Sequence, residues 1–473
     1  MTQKSSHIKL ATVATDVETA LYEVRKKIYP RAVSGWFAGW RIALVVLTQL
    51  IYYGLPWLDW NGRQAVLFDL GARKFYIFGW VFWPQDFVFL TALLVVSALS
   101  LFLFTTIAGR LFCGYACPQT VYTEIFLWIE RWVEGDRMQR MKLDKSAAGS
   151  RKIRLKAVKH GLWIALALWT GFTFVGYFTP VETLAHEVAS FQLGPWQMFW
   201  ILFYSFATYG NAGWMREQVC KYMCPYARFQ SVMFDPDTMV ITYDEARGEP
   251  RGSRGRSVDP RAAGLGSCVD CGICVQVCPT GIDIRQGLQY ECIGCAACID
   301  GCNQVMDKMG YERGLIRYST SNAVKRGKTK VSVFEHLLRP RVLVYSSLLA
   351  VVVAVFLFGL YSRSTLKVDV IRDRATLVRE TKDGLIENVY RLQLMNTDER
   401  THRYRITASG LPGIAAIAEQ PVTVGPATTL GVAVALRVDP TGIANGSHTV
   451  MFHVEDIDDP SLRRDEKSRF FVK

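Results

Sequence analysis

The sequence predicts a polytopic α-helical membrane protein with a cysteine-rich cytoplasmic module and a C-terminal β-sandwich of immunoglobulin type. Five long stretches are nearly free of charge, all twelve cysteines fall between residues 113 and 302, and residues 362–473 alternate apolar and polar side chains. The average composition, half hydrophobic with a formal charge of +13, would fit many globular proteins. The distribution of residues along the chain therefore carries the prediction.

The five apolar stretches have the length of membrane-spanning helices. A helix needs ~20 apolar residues to cross ~30 Å of hydrocarbon, and each stretch approaches this length with almost no polar stripe. The fourth stretch contains Tyr204, Tyr209, Gly210 and Asn211, so we expect its inner end to be irregular. The predicted spans are 42–58, 87–108, 161–179, 196–214 and 342–361.

Basic residues orient the predicted spans, because Lys and Arg accumulate in cytoplasmic loops. The counts are seven in residues 1–41, ten in 110–156 and eighteen in 215–341, against three in 59–86 and none in 179–195. The N-terminus and both basic loops are therefore expected in the cytoplasm, and the C-terminal domain in the periplasm. Residues 1–35 hold no apolar run typical of a cleavable signal peptide. This pattern predicts a multi-pass protein of the bacterial cytoplasmic (inner) membrane.

Eight cysteines form a doubled motif. Cys268 begins a C-x2-C-x2-C-x3-C-P run, and Cys292 begins a second run in which Asn303 replaces the proline. This spacing is typical of ferredoxins with two [4Fe–4S] clusters, where the fourth cysteine of each run ligates the other cluster. Structural zinc and disulfides are weaker alternatives, because the spacing is doubled and the loops face a reducing cytoplasm. The predicted ligands are Cys268, Cys271, Cys274 and Cys302 for cluster 1, and Cys292, Cys295, Cys298 and Cys278 for cluster 2.

Four further cysteines form two copies of C-x-Y-x-C-P. Cys113 and Cys117 follow the second predicted span, and Cys220 and Cys224 follow the fourth. Residues four apart on a helix share a face, so each pair is expected to offer two thiolates to one site. Four soft thiolates suit Cu(I), zinc or an iron–sulfur cluster, and inert thiols packed between helices are the alternative. That the two pairs form one joint site is a hypothesis.

Other residues are weaker candidates. Met215 and Met223 lie near the second pair and are weak candidates for copper ligands, although packing is the favoured interpretation. His186, in a short outer loop, is attributed to solvation rather than to a metal. The stretch from Val121 to Trp132 predicts an amphipathic helix lying on the inner leaflet. The basic tracts beside the spans fit anionic lipid, so no nucleic-acid partner is predicted.

The remaining segments set the domain boundaries. About seven short strands are expected after the fifth span, from alternating segments at 367–371, 389–394, 403–408, 430–438 and 448–454. The predicted domains are a cytoplasmic N-terminal segment (1–41), a four-span membrane domain (42–230), a flexible linker (231–267), a 2[4Fe–4S] ferredoxin-type module (268–303), a cytoplasmic connector (304–341), the fifth span (342–361) and a periplasmic immunoglobulin-like domain (362–473).

Over nearly its full length the chain resembles the CcoG/FixG family of cytochrome oxidase accessory proteins. The resemblance rests on Tyr29-Pro-Arg, the stretch 53–68, Trp83-Pro-Gln-Asp, the segment 113–124, the doubled cysteine run and Gly314-Leu-Ile-Arg-Tyr. It implies a membrane cupric reductase that helps copper delivery to cbb-type cytochrome c oxidase during assembly. It also implies an immunoglobulin-like C-terminal domain, and copper chaperones or oxidase assembly factors as partners. The family's functional cysteines are all present in this chain, as the eight ferredoxin cysteines and the four of the paired motifs.

The expected function is reduction of Cu(II) to Cu(I) by single-electron relay, with Cys113, Cys117, Cys220 and Cys224 as candidate copper-binding or catalytic thiolates. The chain has no G-x-G-x-x-G or P-loop pattern, so electrons must come from another protein or from quinol. A quinol-oxidising subunit is one alternative, because membrane iron–sulfur subunits of periplasmic nitrate reduction look similar in the span-plus-C-x3-C-P region. A copper-holding assembly factor without enzymatic activity is the other.

Overall fold

The described residues form two compact units. The computed structural model describes residues 27–256, 258, 259, 262, 264–327, 337–373 and 378–472. The cysteine unit takes its described residues from Met1–Val45, Phe104–Ile164 and Tyr209–His336, and it holds all twelve cysteines. The sandwich unit takes its described residues from Val46–Leu103, Ala165–Thr208 and Leu337–Lys473.

Helices dominate the first three quarters of the chain. The α-helices are α1 (Trp36–Gly54), α2 (Phe87–Ala108), α3 (Leu111–Tyr115), α4 (Pro118–Glu134), α5 (Arg137–Lys145), α6 (Ser150–Gly176), α7 (Val181–Ala189), α8 (Pro195–Thr208), α9 (Pro225–Met233), α10 (Glu245–Gly248), α11 (Ile273–Gln276), α12 (Ala297–Met309), α13 (Ser321–Lys325) and α14 (Pro340–Tyr361). Two π-helices cover Tyr209–Met215 and Val219–Met223, and 3-10 turns cover Leu55–Trp57, Pro84–Asp86 and Ile284–Gln286.

Within the described residues, four helices are long and apolar enough to cross a bilayer. They are Trp36–Trp57, Pro84–Ala108, Ser150–Gly176 and Pro340–Tyr361, and they coincide with the first, second, third and fifth predicted spans. The fourth predicted span is divided, because α8 gives way to a π-helix at Tyr209. The irregular inner end is thus found where it was expected. The count of five spans stays a prediction.

The predicted outer loop 59–86 is folded rather than extended. It forms two small antiparallel sheets, β1 (Asp59–Trp60) with β2 (Arg63–Gln64), and β3 (Val66–Asp69), β4 (Lys74–Ile77) and β5 (Trp80–Phe82) in that order. Val81 and Trp83 pack against Met395 of the C-terminal domain. Arg63 pairs with Glu399 at 2.6 Å. The loop is therefore part of the sandwich unit's packed structure.

A buried carboxylate ties the membrane helices to the sandwich. Asp86, 7% exposed, lies just before α2 and pairs with Arg363, just after α14, at 2.6 Å. It also pairs with Lys367 in the first strand of the sandwich. A buried charge is tolerated only when it is paired, so these two cations fix the start of the domain beside the helix ends.

The C-terminal domain is a two-sheet sandwich, as predicted. Its described strands are β8 (Leu366–Arg372), β9 (Arg379–Glu380), β10 (Ile386–Asn396), β11 (His402–Ser409), β12 (Ala415–Ile417), β13 (Val422–Val424), β14 (Thr429–Val438), β15 (Gly446–Asp456) and β16 (Arg463–Val472). One sheet has the order β12-β14-β10-β8 with β9 on β10, and the other has the order β13-β11-β15-β16. Each of the five predicted segments lies within an observed strand, and its ends differ from the ends of that strand by at most three residues. Tyr390, Tyr404, Phe452 and Phe470 fill the space between the sheets.

Phe452→Ala should destabilise the sandwich by about 3–5 kcal/mol, because the ring is fully buried and its loss leaves a cavity. Ile417→Ala is the matched control, since Ile417 is 47% exposed. The measurement is calorimetric unfolding of the full-length protein in detergent. Equal losses in both variants would contradict this core.

Candidate metal centres

A pair of strands encloses the eight-cysteine segment. These strands are β6 (Val240–Tyr243) and β7 (Ile316–Ser319), which pair antiparallel. They share a core with α12 and the cysteine loops. The strands lie outside the predicted module bounds 268–303, in the predicted linker 231–267 and connector 304–341. The folded module is therefore wider than the cysteine spacing indicated, because strands of four residues give little periodicity to detect.

The two cysteine runs fold into the same backbone turn. In the first run Asp270 and Gly272 have φ of 51° and 62°, and in the second Gly294 and Ala296 have φ of 69° and 57°. Left-handed residues at both positions reverse the chain twice between the first and third cysteines. A helix then starts, α11 in the first run and α12 in the second. The repeated spacing is thus a repeated structure.

Two small cavities lie inside this module. Cys268, Cys271, Cys274 and Cys302 line the first. Cys278, Cys292, Cys295 and Cys298 line the second, where Cys274 also reaches the wall. Each cavity is thus lined by three cysteines from one run and by the fourth from the other.

The chemistry of these thiols fits an iron–sulfur group. Burial raises the pKa of Cys274 to about 11 and of Cys292 and Cys302 to about 12. A thiol with such a pKa stays protonated at neutral pH, and a thiolate there needs a metal cation to stabilise it. No group of three or more His, Cys, Asp or Glu side chains among the described residues is arranged for a single metal ion. Four cysteines around one cavity are the donor set of a [4Fe–4S] cluster.

The module is attached to the first apolar helix through Asp300, which lies in α12. Its carboxylate accepts the backbone N–H of Ala38 at 2.7 Å and of Phe37 at 3.4 Å, in the first turn of α1. A carboxylate at this end of a helix is stabilised by unpaired N–H groups and by the helix dipole. A Cβ at Gly35 would lie 2.4 Å from the Asp300 side chain, so glycine is required there.

We expected each C-x-Y-x-C-P pair to lie on one face of a single helix, but neither pair does. Cys113 lies in the short helix α3, whereas Cys117 is the N-cap of α4. Cys220 lies in a π-helix, and Cys224 is the N-cap of α9. Each proline after the second cysteine takes the first position of a new helix, where its missing N–H costs nothing. Each pair therefore spans a break between two helices.

The two motifs nevertheless meet in one region, because Cys113 and Cys220 both pack against the cluster of Val277, Ile293, Cys295 and Ala297. Burial, together with the neighbouring Cys117, Cys220 and Cys224, raises the pKa of Cys113 to about 12. Burial, together with Cys117 and Cys224, raises the pKa of Cys220 to about 11. Thiolates raise one another's pKa only at short range in this way. The structure thus brings the two motifs to one place.

Arg110 is a buried cation beside these thiols that sequence reasoning missed. It is 5% exposed, donates to the Ala227 carbonyl, and its Nε has no hydrogen-bond partner. Its charge opposes the rise in the pKa of Cys113 and Cys220. The available signal was a lone arginine three residues before the first cysteine, at the end of an apolar span.

The paired motifs contact the second ferredoxin loop. A Cβ at Gly114 would lie 2.8 Å from the Gly294 carbonyl oxygen and 2.9 Å from the Cys295 Cα. A third small cavity is lined by Gly114, Cys220 and Cys295 among others. Cys113 donates through its thiol to the buried Gln230 at 3.3 Å. The paired thiols therefore adjoin the second four-cysteine cavity.

The weaker candidates lie apart from these groups. Met223 is 58% exposed, and Met215 is the last residue of the first π-helix. His186 lies in α7, within the sandwich unit. The walls of the three cavities include none of these side chains.

The helix expected from Val121 to Trp132 is present within α4, but its residue Glu130 is buried and does not face a membrane surface. Glu130 in α4 is fully buried and pairs with Arg140 at 3.2 Å and with Arg216 at 3.0 Å. Burial opposes ionisation, but Arg216, Lys159 and Arg140 hold the pKa of Glu130 below its ordinary value. The charged residues of α4 that suggested a membrane surface are instead paired inside the unit.

Comparisons with known protein families match three parts of the chain. The family described as "4Fe-4S dicluster domain" matches residues 215–321, and "4Fe-4S binding domain" matches residues 90–135. "IG-like fold at C-terminal of FixG", whose description also names an oxidoreductase, matches residues 356–473. With the apolar helices and the cysteine-lined cavities, these matches define a membrane iron–sulfur electron-transfer protein.

The chain belongs to the FixG family. It is 39% identical over 451 residues to nitrogen fixation protein FixG of Rhizobium meliloti (strain 1021), covering 89% of this chain and 86% of that protein. It is 40% identical over 404 residues to protein RdxA of Cereibacter sphaeroides, covering 83% of this chain and 84% of that protein. A crystal structure of a FixG-related protein from Vibrio parahaemolyticus is 26% identical, with a TM-score of 0.22, and covers 24% of this chain and 99% of that one.

Gly114→Ala should loosen the contact between the paired motifs and the second cysteine loop, because the added Cβ meets three backbone atoms that cannot move aside cheaply. We expect a destabilisation of about 1–3 kcal/mol, measured as the thermal midpoint of the purified protein. Gly149→Ala is the control, since a Cβ there meets nothing within 4 Å. Unchanged midpoints in both variants would contradict the close approach.

Proposed function

We propose that this protein is an oxidoreductase that reduces Cu(II) to Cu(I) for copper delivery during assembly of a cbb-type cytochrome c oxidase. The observation that carries the proposal is the convergence of Cys113, Cys117, Cys220 and Cys224 beside the second four-cysteine cavity. Soft thiolates prefer Cu(I) to Cu(II). A site built from them therefore favours the product of reduction.

The eight remaining cysteines would hold two [4Fe–4S] clusters. Cys268, Cys271, Cys274 and Cys302 would hold the first, and Cys292, Cys295, Cys298 and Cys278 the second, in accordance with the two cavity walls. When bound, such clusters supply one-electron storage. Four of these eight thiols are buried, whereas Cys271 of the first set is exposed, so the first position is the more accessible to solvent.

The residues around the paired thiols would bind copper as substrate. Each Cu(II) takes up one electron and becomes Cu(I), and no proton has to move in this step. The thiols must lose their protons to the solvent when they bind copper, because the pKa of Cys113 is about 12 and that of Cys220 about 11. Copper binding should therefore strengthen as pH rises. Arg110 would offset the negative charge of the thiolates.

The domain order and topology complete the proposal. The cytoplasmic face would hold residues 1–41 and the module, and the periplasm would hold the immunoglobulin-like domain from residue 362. The five spans would lie in a bacterial cytoplasmic membrane, with the lysine and arginine distribution as the supporting observation. Oxidase assembly factors or copper chaperones would take the Cu(I).

A second candidate for the paired thiols is a further iron–sulfur cluster. The match of residues 90–135 to the family "4Fe-4S binding domain" favours it, since this segment includes Cys113 and Cys117. The same four thiols then serve electron transfer alone. Metal content separates this candidate from copper binding.

Pairs of serine substitutions test the crossed ligand sets. Cys302→Ser alone should remove about four iron atoms per chain. Adding Cys268→Ser should remove no more, because both residues line the first cavity, whereas adding Cys292→Ser should remove a second set of about four. Iron is measured against protein concentration in anaerobically purified samples. If Cys302→Ser with Cys292→Ser loses only one set, the crossed assignment is wrong.

Reduced protein should convert Cu(II) to Cu(I) without an added donor. We expect about two Cu(I) per chain, one for each cluster electron, after dithionite is removed by anaerobic gel filtration. A Cu(I)-specific chelator measures the product. The Cys113→Ser, Cys117→Ser double variant should react at least about tenfold more slowly, because it loses half of the soft ligands.

The visible absorbance and iron content of that double variant are its controls. Unchanged values with slow Cu(I) formation support a copper site at the paired thiols. A loss of about four iron atoms supports the further cluster instead. Clusters that stay reduced in the presence of Cu(II) would rule out the reductase and leave a copper-holding assembly factor.

A further inference from the structure

A fourth cavity, which we name the aromatic cavity, has no part in the function described above. It has a volume of about 370 Å³ and lies within the cysteine unit, beside the first half of α6. Its wall includes His160, Trp163, Trp214, Arg216 and Glu217. Trp214 is 57% exposed, so the cavity reaches the surface of the unit. Because α6 is a candidate span, a lipid-soluble molecule can approach it from the bilayer.

We propose that the aromatic cavity binds the head group of a membrane quinol, and that this quinol is the electron donor. The binding site stands on the cavity itself. The fate of the electrons rests on the function proposed above.

The cavity wall is suited to a flat ring with hydroxyl groups. His160 stacks on Trp214, with ring centroids 5.9 Å apart and planes at 21°, and lies edge-on to Trp163 at 5.1 Å. The Tyr209 hydroxyl lies 2.9 Å from Nδ1 of His160 and orients its ring. Aromatic side chains stack on planar ligands, and a few polar groups then set the ligand's orientation.

The charges in the wall favour a neutral ligand over a phosphate or a carboxylate. Lys27 and Lys156 pair with Asp144 at 2.7 and 2.6 Å. Lys156 and Lys159 pair with Glu134 at 2.8 and 2.9 Å, and Arg216 pairs with Glu130 at 3.0 Å. These cations are largely compensated by carboxylates, and Glu217 adds another negative group to the wall. An anionic head group would therefore gain little, whereas a quinol hydroxyl can hydrogen-bond to His160 or Glu217.

The aromatic cavity adjoins the metal-centre region directly. Arg216 and Glu217 line both the aromatic cavity and the third cavity, whose wall also includes Cys220 and Cys295. Only Arg216 and Glu217 therefore separate a reductant in the aromatic cavity from the third cavity, which borders the second ferredoxin loop.

The electron count also balances. A quinol gives up two electrons and two protons and becomes a quinone, and the two proposed clusters accept one electron each. Each O–H proton passes to His160 and then to solvent. The two stored electrons then reduce two Cu(II) to two Cu(I), so one quinol serves two copper ions.

Equilibrium dialysis of a short-tailed ubiquinone and a short-tailed menaquinone against the detergent-solubilised holoprotein tests the site. We expect at least one of them to bind, and Trp214→Ala and His160→Ala to weaken that binding about tenfold through lost stacking. Trp132→Ala is the matched control, because Trp132 is 80% exposed, belongs to the same unit and lies outside the cavity wall. Unchanged iron content in each variant establishes that it is folded.

The second measurement adds the corresponding quinol anaerobically and follows bleaching of the visible absorbance. The wild type and Trp132→Ala should bleach, the two cavity variants should bleach about tenfold more slowly at subsaturating quinol, and dithionite should bleach all four equally. No quinone binding, or equal binding in all variants, would overturn the inference. Dithionite-reduced protein that yields no Cu(I) would instead overturn the proposed function and leave the quinol result standing.

Discussion

The structure depends on one electrostatic constraint: a thiolate is not stable in an apolar interior without a positive charge beside it. Most of the twelve cysteines are buried or half-buried in a single unit, and the burial of Cys274, Cys292 and Cys302 raises each pKa far above neutrality. Metal ions supply that charge in the cavities, and Arg110 supplies part of it beside the paired motifs. The module is thus an apolar core whose packing is incomplete until its cofactors bind.

Backbone contacts then set where the centres lie. Asp300 joins the module to the first turn of α1, and the close approach of Gly114 to Gly294 joins the paired motifs to the second cysteine loop. Both contacts require glycine, at Gly35 and at Gly114, because a side chain would occupy the space of its neighbour. Main-chain packing therefore fixes the paired motifs against the second cysteine loop. Side-chain hydrogen bonds such as that from Cys113 to Gln230 add to this packing.

Sequence patterns predicted what depends on spacing. The crossed sets of four cysteines and the long strands of the sandwich follow local periodicity, and the structure has both. Contacts between distant segments were not predictable. Glu130 looked like a surface charge because its partner Arg216 lies 86 residues away. β16 was missed because six of its ten residues, from Arg463 onward, are charged, and only pairing with β15 makes it a strand. The break within each C-x-Y-x-C-P pair follows from proline, whose consequence for helix geometry was overlooked.

The two cysteine runs share a fold but not an environment. Cys271 is exposed, whereas Cys295, at the equivalent position of the second run, is buried. Oxygen and peroxide attack thiolates and the metals they hold according to their access. The first centre is therefore the one that aeration damages first, and the second, against the membrane helices, outlasts it. The two centres would then be lost in a fixed order, starting from the surface.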